Sequence, residues 1–152
     1  MYNVLDARFP DEIQDSVCVG QRRPEDEDER VLLFLLMKPG VKFTQGLASR
    51  VKDAISQDVG RRCVPKYVFE TPEIPVSSVF SLGAIAKSAN LFGLQTTINL
   101  KKVELPVKQI VSGKIIKPSD TLANKECLEF YYQFAKVEEL VRKGTSASKA
   151  KL

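Results

Sequence analysis

Two adjacent lysines, Lys101 and Lys102, stand between a short polar stretch (Thr96, Thr97, Asn99) and an apolar pattern at Val103, Val107, Ile110 and Val111. That pattern has the i, i+4, i+7, i+8 spacing of one helix face and predicts a helix starting at Val103 or Glu104. Both lysines then lie just ahead of the helix, on a loop, free to reach into a neighbouring cleft. An ammonium on a flexible stem is a compact point charge, suited to negative charge developing on phosphate or carboxylate. The same residues also read as an ordinary solvated pair, because surface lysines are commonplace.

Composition narrows the chemistry. The 152 residues include no histidine, which removes Ser-His and Cys-His nucleophilic catalysis. Cys18, Cys63 and Cys127 are widely spaced and form no C-x-x-C pair. This argues against a metal site and a disulfide framework, and for a reducing, cytoplasmic setting. No Gly-rich phosphate loop is present. Met1–Pro10 carries Asp6 and Arg8 and lacks the apolar core of a signal peptide. Charge is uneven: residues 1–75 hold 11 basic against 13 acidic side chains, residues 76–152 hold 12 against 6. A basic half suits nucleic acid or a small anion. The lysines are scattered, with no Arg-rich helix or aromatic platform, so no nucleic-acid partner is expected, and the same charge serves a small anionic partner.

The elements that must hold the lysines are legible from periodicity. Tyr2–Phe9 reads as a short helix with Val4, Leu5 and Phe9 apolar, and Ile13–Val19 alternates as a strand with one inward face. Gly20–Arg30 is a hydrophilic hairpin loop whose acidic run, Glu25–Glu29, reads as solvated and not as a metal site, because consecutive carboxylates repel one another. Val31–Met37 (VLLFLLM) has the length of a central strand covered on both faces. Thr44 is placed to cap a helix carrying Leu47, Val51 and Ile55, with Ala48 and Ala54 beside them and Gly60 at its end. Tyr67–Glu70 is a further strand. Pro106 falls in the first turn of the helix after the lysines, where its missing N–H costs little. Asn124 is placed to cap a last helix through Leu128, Tyr131, Tyr132, Ala135 and Leu140, whose aromatic face reads as core. Residues 141–152 read as a disordered polar tail. The expected fold is α+β, a small β-sheet with flanking helices, in a single domain over residues 1–140.

With residues 76–95 set aside, Glu73-Ile74-Pro75 runs directly into TTINLKKVELPVKQIVSGK. This resembles the C-terminal motif of acetoacetyl-CoA synthetases, roughly Ile-Pro-Tyr-Thr-Val-Asn-Gly-Lys-Lys-Val-Glu-Val-Ala-Val-Lys-Gln-Ile. They belong to the adenylate-forming acyl-CoA synthetase superfamily. Pro75, Thr97, Asn99, Lys101, Lys102, Val103, Glu104, Val107, Lys108, Gln109 and Ile110 fall in register. The likeness extends through Asp15–Phe34, Val64–Pro75, Ser112–Asn124 and Leu128–Leu140. Leu100 departs from it: the family has glycine there, and leucine would strain a turn of positive φ or re-aim the lysine.

The resemblance implies the C-terminal subdomain of an ATP-dependent acetoacetate–CoA ligase. Lys101 is then the catalytic residue of adenylation and Lys102 the second choice, while Thr97 and Asn99 shape the loop. Arg22 and Arg23 meet coenzyme A phosphates or form a solvent-facing hairpin tip. ATP, acetoacetate and coenzyme A are the small-molecule partners, with Mg2+ accompanying ATP, and no membrane is involved. The resemblance further implies that an N-terminal adenylation domain is missing, so the chain reads as an inactive fragment. The alternative is a non-catalytic basic module that binds a partner protein or an acyl-CoA. Residues 76–95 read as a translated retained intron, since 20 residues make 60 nucleotides and leave the frame intact. They read otherwise as an inserted loop, or as a membrane-binding segment that Lys87 interrupts short of a span.

Overall fold

The computed structural model describes residues 1–78, 100–120 and 122–142, with the backbone alone at positions 78, 100 and 101. Thr97 and Asn99 lie outside these residues, as do 79–95 of the interrupting segment and most of the tail. The centre of the molecule is the apolar run, which forms β2 (Arg30–Met37). It pairs antiparallel with β1 (Ile13–Gln21) and parallel with β3 (Tyr67–Glu70), giving the order β1-β2-β3. Leu32, Leu33, Phe34 and Leu35 are all 0% exposed. Both faces of this strand are therefore covered, as a run without polar alternation requires.

The two faces carry separate cores. On one face Leu33, Leu35 and Met37 pack with Leu5 of α1 (Tyr2–Arg8), with Phe9 just past its end, and with α2 (Gln45–Asp58). Leu47, Ala48, Val51, Ala54 and Ile55 point inward from α2, and Thr44 Oγ1 accepts the Leu47 N–H at 3.1 Å, satisfying one of the orphan donors of the first turn. Beyond the helix, Gly60 takes φ +121°, a conformation that favours glycine. On the other face Val17, Val19, Leu32 and Phe34 meet α3 (Glu104–Val111), α4 (Cys127–Tyr132) and the 3-10 turn Gln133–Lys136. The Phe34 ring stands edge-on to Tyr131 and Phe134 at centroid distances of 5.0 and 4.9 Å, contacts worth about 1 kcal/mol each beyond area.

The chain is thus an α+β domain, a small sheet with helices on both sides. Two local expectations need correction. Asn124 does not cap α4, which starts three residues later with Glu126 at its N-cap; the carboxamide of Asn124 is used elsewhere. The hairpin between β1 and β2 is not wholly solvated. The Asp26 side chain is 3% exposed, clamped by Arg23 (2.9 Å) and Arg30 (2.7 Å). Arg23 reaches on to Glu138 (2.7 Å) and the Ala135 carbonyl (3.1 Å). Arg23 is therefore a clamp between the hairpin and the C-terminal helical segment, while Arg22 stays exposed.

Candidate functional site

The lysine pair sits in a strand where local pattern predicts a loop. β5 (Leu100–Lys102) pairs antiparallel with β4 (Val76–Ser78), in the register Val76↔Lys102, Ser77↔Lys101, Ser78↔Leu100. The first three residues of the interrupting segment thus form a ladder with the motif that follows it. Residue 100 is a strand rung, an extended conformation that leucine adopts readily, so no positive φ is needed there. Helix α3 begins at Glu104, which puts Pro106 in its first turn, and the Val103 N–H closes the ladder onto the Pro75 carbonyl at 3.0 Å.

Three rungs hold little by themselves, and the surroundings supply the rest. On the far side of β4, Asn124 Oδ1 accepts the Val76 N–H (3.0 Å), while its Nδ2 donates to the Ile74 carbonyl (2.9 Å) and to Glu73 (2.6 Å). Ala123 N–H adds a bond to the Val76 carbonyl at 3.0 Å. The connector from β3 is held by Tyr131, fully buried, whose hydroxyl lies 2.8 Å from the Glu73 carbonyl and 3.0 Å from Thr71 Oγ1. Burial, more than any neighbouring charge, raises the phenol of Tyr131 above its ordinary range.

Lys102 is committed to its own domain. Its ammonium lies 2.5 Å from Asp15 Oδ1, donates to the Ser16 carbonyl at 3.2 Å, and stands 4.5 Å from the centre of the Tyr2 ring. The Tyr2 hydroxyl donates to Glu104 and accepts the Cys18 N–H at 2.9 Å. Burial and then the Glu104 carboxylate hold that phenol well above its usual range, and burial pushes the Cys18 thiol up to about 11. Lys101 lies between these fixtures, opposite Ser77.

Sequence reasoning missed Asn124, Tyr131, Thr71, Tyr2 and Asp15 as neighbours of the motif. Only pairing between segments far apart in the chain brings them there, and no local pattern encodes it. Among the described residues no group of three His, Cys, Asp or Glu side chains could hold a metal ion, and no helix is long and apolar enough to cross a membrane.

No protein-family model matches the chain. Curated relatives do. It is 34% identical over 139 residues to the acetoacetyl-CoA synthetase of Rattus norvegicus, covering 91% of this chain and 17% of that protein. It is 32% identical over 137 residues to the malonamoyl-CoA synthetase of Penicillium aethiopicum, covering 89% and 16%. The solved acetoacetyl-CoA synthetase of Streptomyces lividans superposes with a TM-score of 0.62 at 25% identity, over 90% of this chain and 17% of that one. The chain therefore spans about one sixth of the length of the relatives it matches. With about nine-tenths of its length matched, the chain is homologous to the C-terminal subdomain of acetoacetyl-CoA synthetases, in the adenylate-forming acyl-CoA synthetase superfamily.

Proposed function

We propose that this chain serves as the C-terminal subdomain of an acetoacetate–CoA ligase and delivers the Lys101 amine to a nucleotide-binding domain. The observation that supports this reading is the match to acetoacetyl-CoA synthetases over 91% of the chain, together with the motif's place at a short ladder between Pro75 and α3. In the first step a carboxylate oxygen attacks the α-phosphorus of ATP, and pyrophosphate leaves. Both reactants are anions. An ammonium set between them offsets their repulsion and stabilises charge in the transition state, a role worth on the order of 10²–10³ in rate for a comparable donor. In the second step the sulfur of coenzyme A attacks the acyl carbonyl and AMP departs.

The described residues do not fit a magnesium site. Mg2+ belongs with the ATP phosphates and the nucleotide-binding domain. The acid is a short 3-oxo acid: the malonamoyl group of one relative differs from acetoacetyl by an amino group in place of the methyl, an amide where the other has a ketone. Thr97 and Asn99 are assigned to shaping the loop ahead of the lysines.

Pyrophosphate release from ATP plus acetoacetate tests the proposal. The 152-residue chain alone, which contains no phosphate loop, is expected to release none. In the enzyme carrying this subdomain, Lys101→Ala is expected to slow adenylation about 10²–10³-fold. Full activity of that variant, or turnover by the chain alone, overturns the reading.

A further inference from the structure

Among the described residues β1 is an edge strand, and an edge leaves backbone groups without partners. Two of them are the Ser16 carbonyl and the Cys18 N–H, which face the same edge because they lie two residues apart. Lys102 bonds the first (3.2 Å) and the Tyr2 hydroxyl the second (2.9 Å). The β1–β2 register shifts between Ile13 and Asp15. Such a bulge re-aims the side chains beside it, and the Asp15 carboxylate here meets the Lys102 ammonium at 2.5 Å. The Tyr2 ring closes the cage at 4.5 Å, within range of a cation–π contact, and its hydroxyl passes the connection on to Glu104 at the start of α3. One ammonium thus ties β5 to α1 and β1.

We infer that Lys102 is a positioning residue: its cage of Asp15, Ser16 and Tyr2 fixes β5 on the sheet edge and so sets the backbone position of Lys101. The functional part of this inference rests on Lys101 being the delivered amine; the anchoring part does not. A ladder of three rungs is marginal alone. Asn124 and its neighbours hold β4 from the far side, whereas Lys102 ties β5 directly to the edge of the main sheet. Two adjacent lysines then have opposite duties. One is tethered so that the other is placed.

Residue-resolved amide exchange on the full chain tests the anchor. Asp15→Asn and Lys102→Met are expected to speed exchange at Lys101 and Val103 about five-fold, the scale of one partly exposed ion pair, with Leu33 and Phe34 unchanged. Lys102→Arg, which keeps the charge, restores the protection. The Lys102 ε-methylene protons carry a ring-current upfield shift that disappears in Tyr2→Leu. Unaltered exchange at β5, an equal acceleration at Leu33 and Phe34, or no ring-current shift overturns the inference. If Lys102→Met does not fold, the near-isosteric Asp15→Asn decides.

In the enzyme carrying the subdomain, Lys102→Met lowers kcat for adenylation by up to about 10²-fold. KM for ATP is unchanged and Lys102→Arg restores the rate. Full kcat in Lys102→Met removes the positioning role. An inert Lys101→Ala removes the function proposed above and leaves the exchange results standing.

Discussion

The three-stranded sheet and the two-stranded ladder are held by different forces. In the sheet, β2 buries four consecutive side chains completely and is walled by a core on each face. Its stability comes from apolar area, summed over many weak contacts. The ladder has three rungs, and it is held by directional bonds from Asn124 on one side and Lys102 on the other. An apolar core resists change as a whole, and losing one contact lowers the stability of everything. A polar tether is local, and losing one moves a small part. On the function proposed above, in which the domain delivers one amine, a rigid body and a separately pinned tip serve that task together.

The largest contrast comes from removing core. Phe34→Ala is expected to lower global stability by about 3–5 kcal/mol, a large share of the roughly 5–15 kcal/mol usual for a domain. Denaturant titration would show a lower midpoint, and the ladder would unfold with everything else. A much smaller loss would mean that the aromatic cluster around Phe34 is not the centre of the fold.

Tyr131→Phe sits on the boundary between the two regimes. It keeps the ring against Phe34 and removes the hydroxyl that bonds Thr71 and the Glu73 carbonyl. The expected cost is about 1–2 kcal/mol, with faster amide exchange from Thr71 to Ile74 as the more telling sign. If exchange rises evenly over the whole chain, the hydroxyl belongs to the core and not to the tether.

Asn124→Ala is expected to cost about 1 kcal/mol and to loosen β4, read as faster exchange at Val76 and Val103 while the amides of β2 stay protected. An unchanged Val103 would show that the Ala123 N–H on the Val76 carbonyl alone holds β4 in place.

Alkaline pH sharpens the comparison by titration. The Cys18 thiol is raised from 9.0 to about 11, and the Tyr2 phenol is raised above its ordinary value of 10.0. Both protonated forms are favoured in the folded state. Their contribution is fully present below the unfolded values and is lost as pH rises through the folded ones. Cys127, also raised to about 11, and Tyr131 behave alike. Tm is therefore expected to fall from about pH 9 upward, with the exchange of β5 rising before that of β2. The Asp26 clamp has the opposite sign: Arg23 holds its carboxyl well below the usual range. Its contribution is present above the unfolded pKa and disappears only as the pH falls into strong acid. A Tm that stays level from about pH 8 to 11 would contradict the alkaline half of this picture.

Several elements are legible in local sequence alone. The run Val31–Met37 cannot alternate faces with polar residues, so a strand covered on both sides is its economical home. Thr44 and the four-residue repeat of Leu47, Val51 and Ile55 give α2 its start and its buried face. Pro106 limits α3 to a start near Glu104. The motif around Lys101 is visible as a likeness. Its strand is not, because Val76–Ser78 reads locally as the opening of an interruption, and only pairing with Leu100–Lys102 makes it a strand. Asn124 shows the same limit: a cap by local preference, it is drawn instead to the unpaired Val76 N–H.

What the chain determines by itself is whatever depends on near neighbours: the apolar period of each helix, the caps, and the identity of the amines ahead of α3. Which residues surround those amines is decided by contacts across 86 positions for Lys102 and Ser16, and 48 for Asn124 and Val76. Such contacts form only once the sheet has brought distant segments together, since the entropy of closing long loops must be met by burial elsewhere. Local preference yields there, because a backbone donor without a partner costs more than a cap contributes.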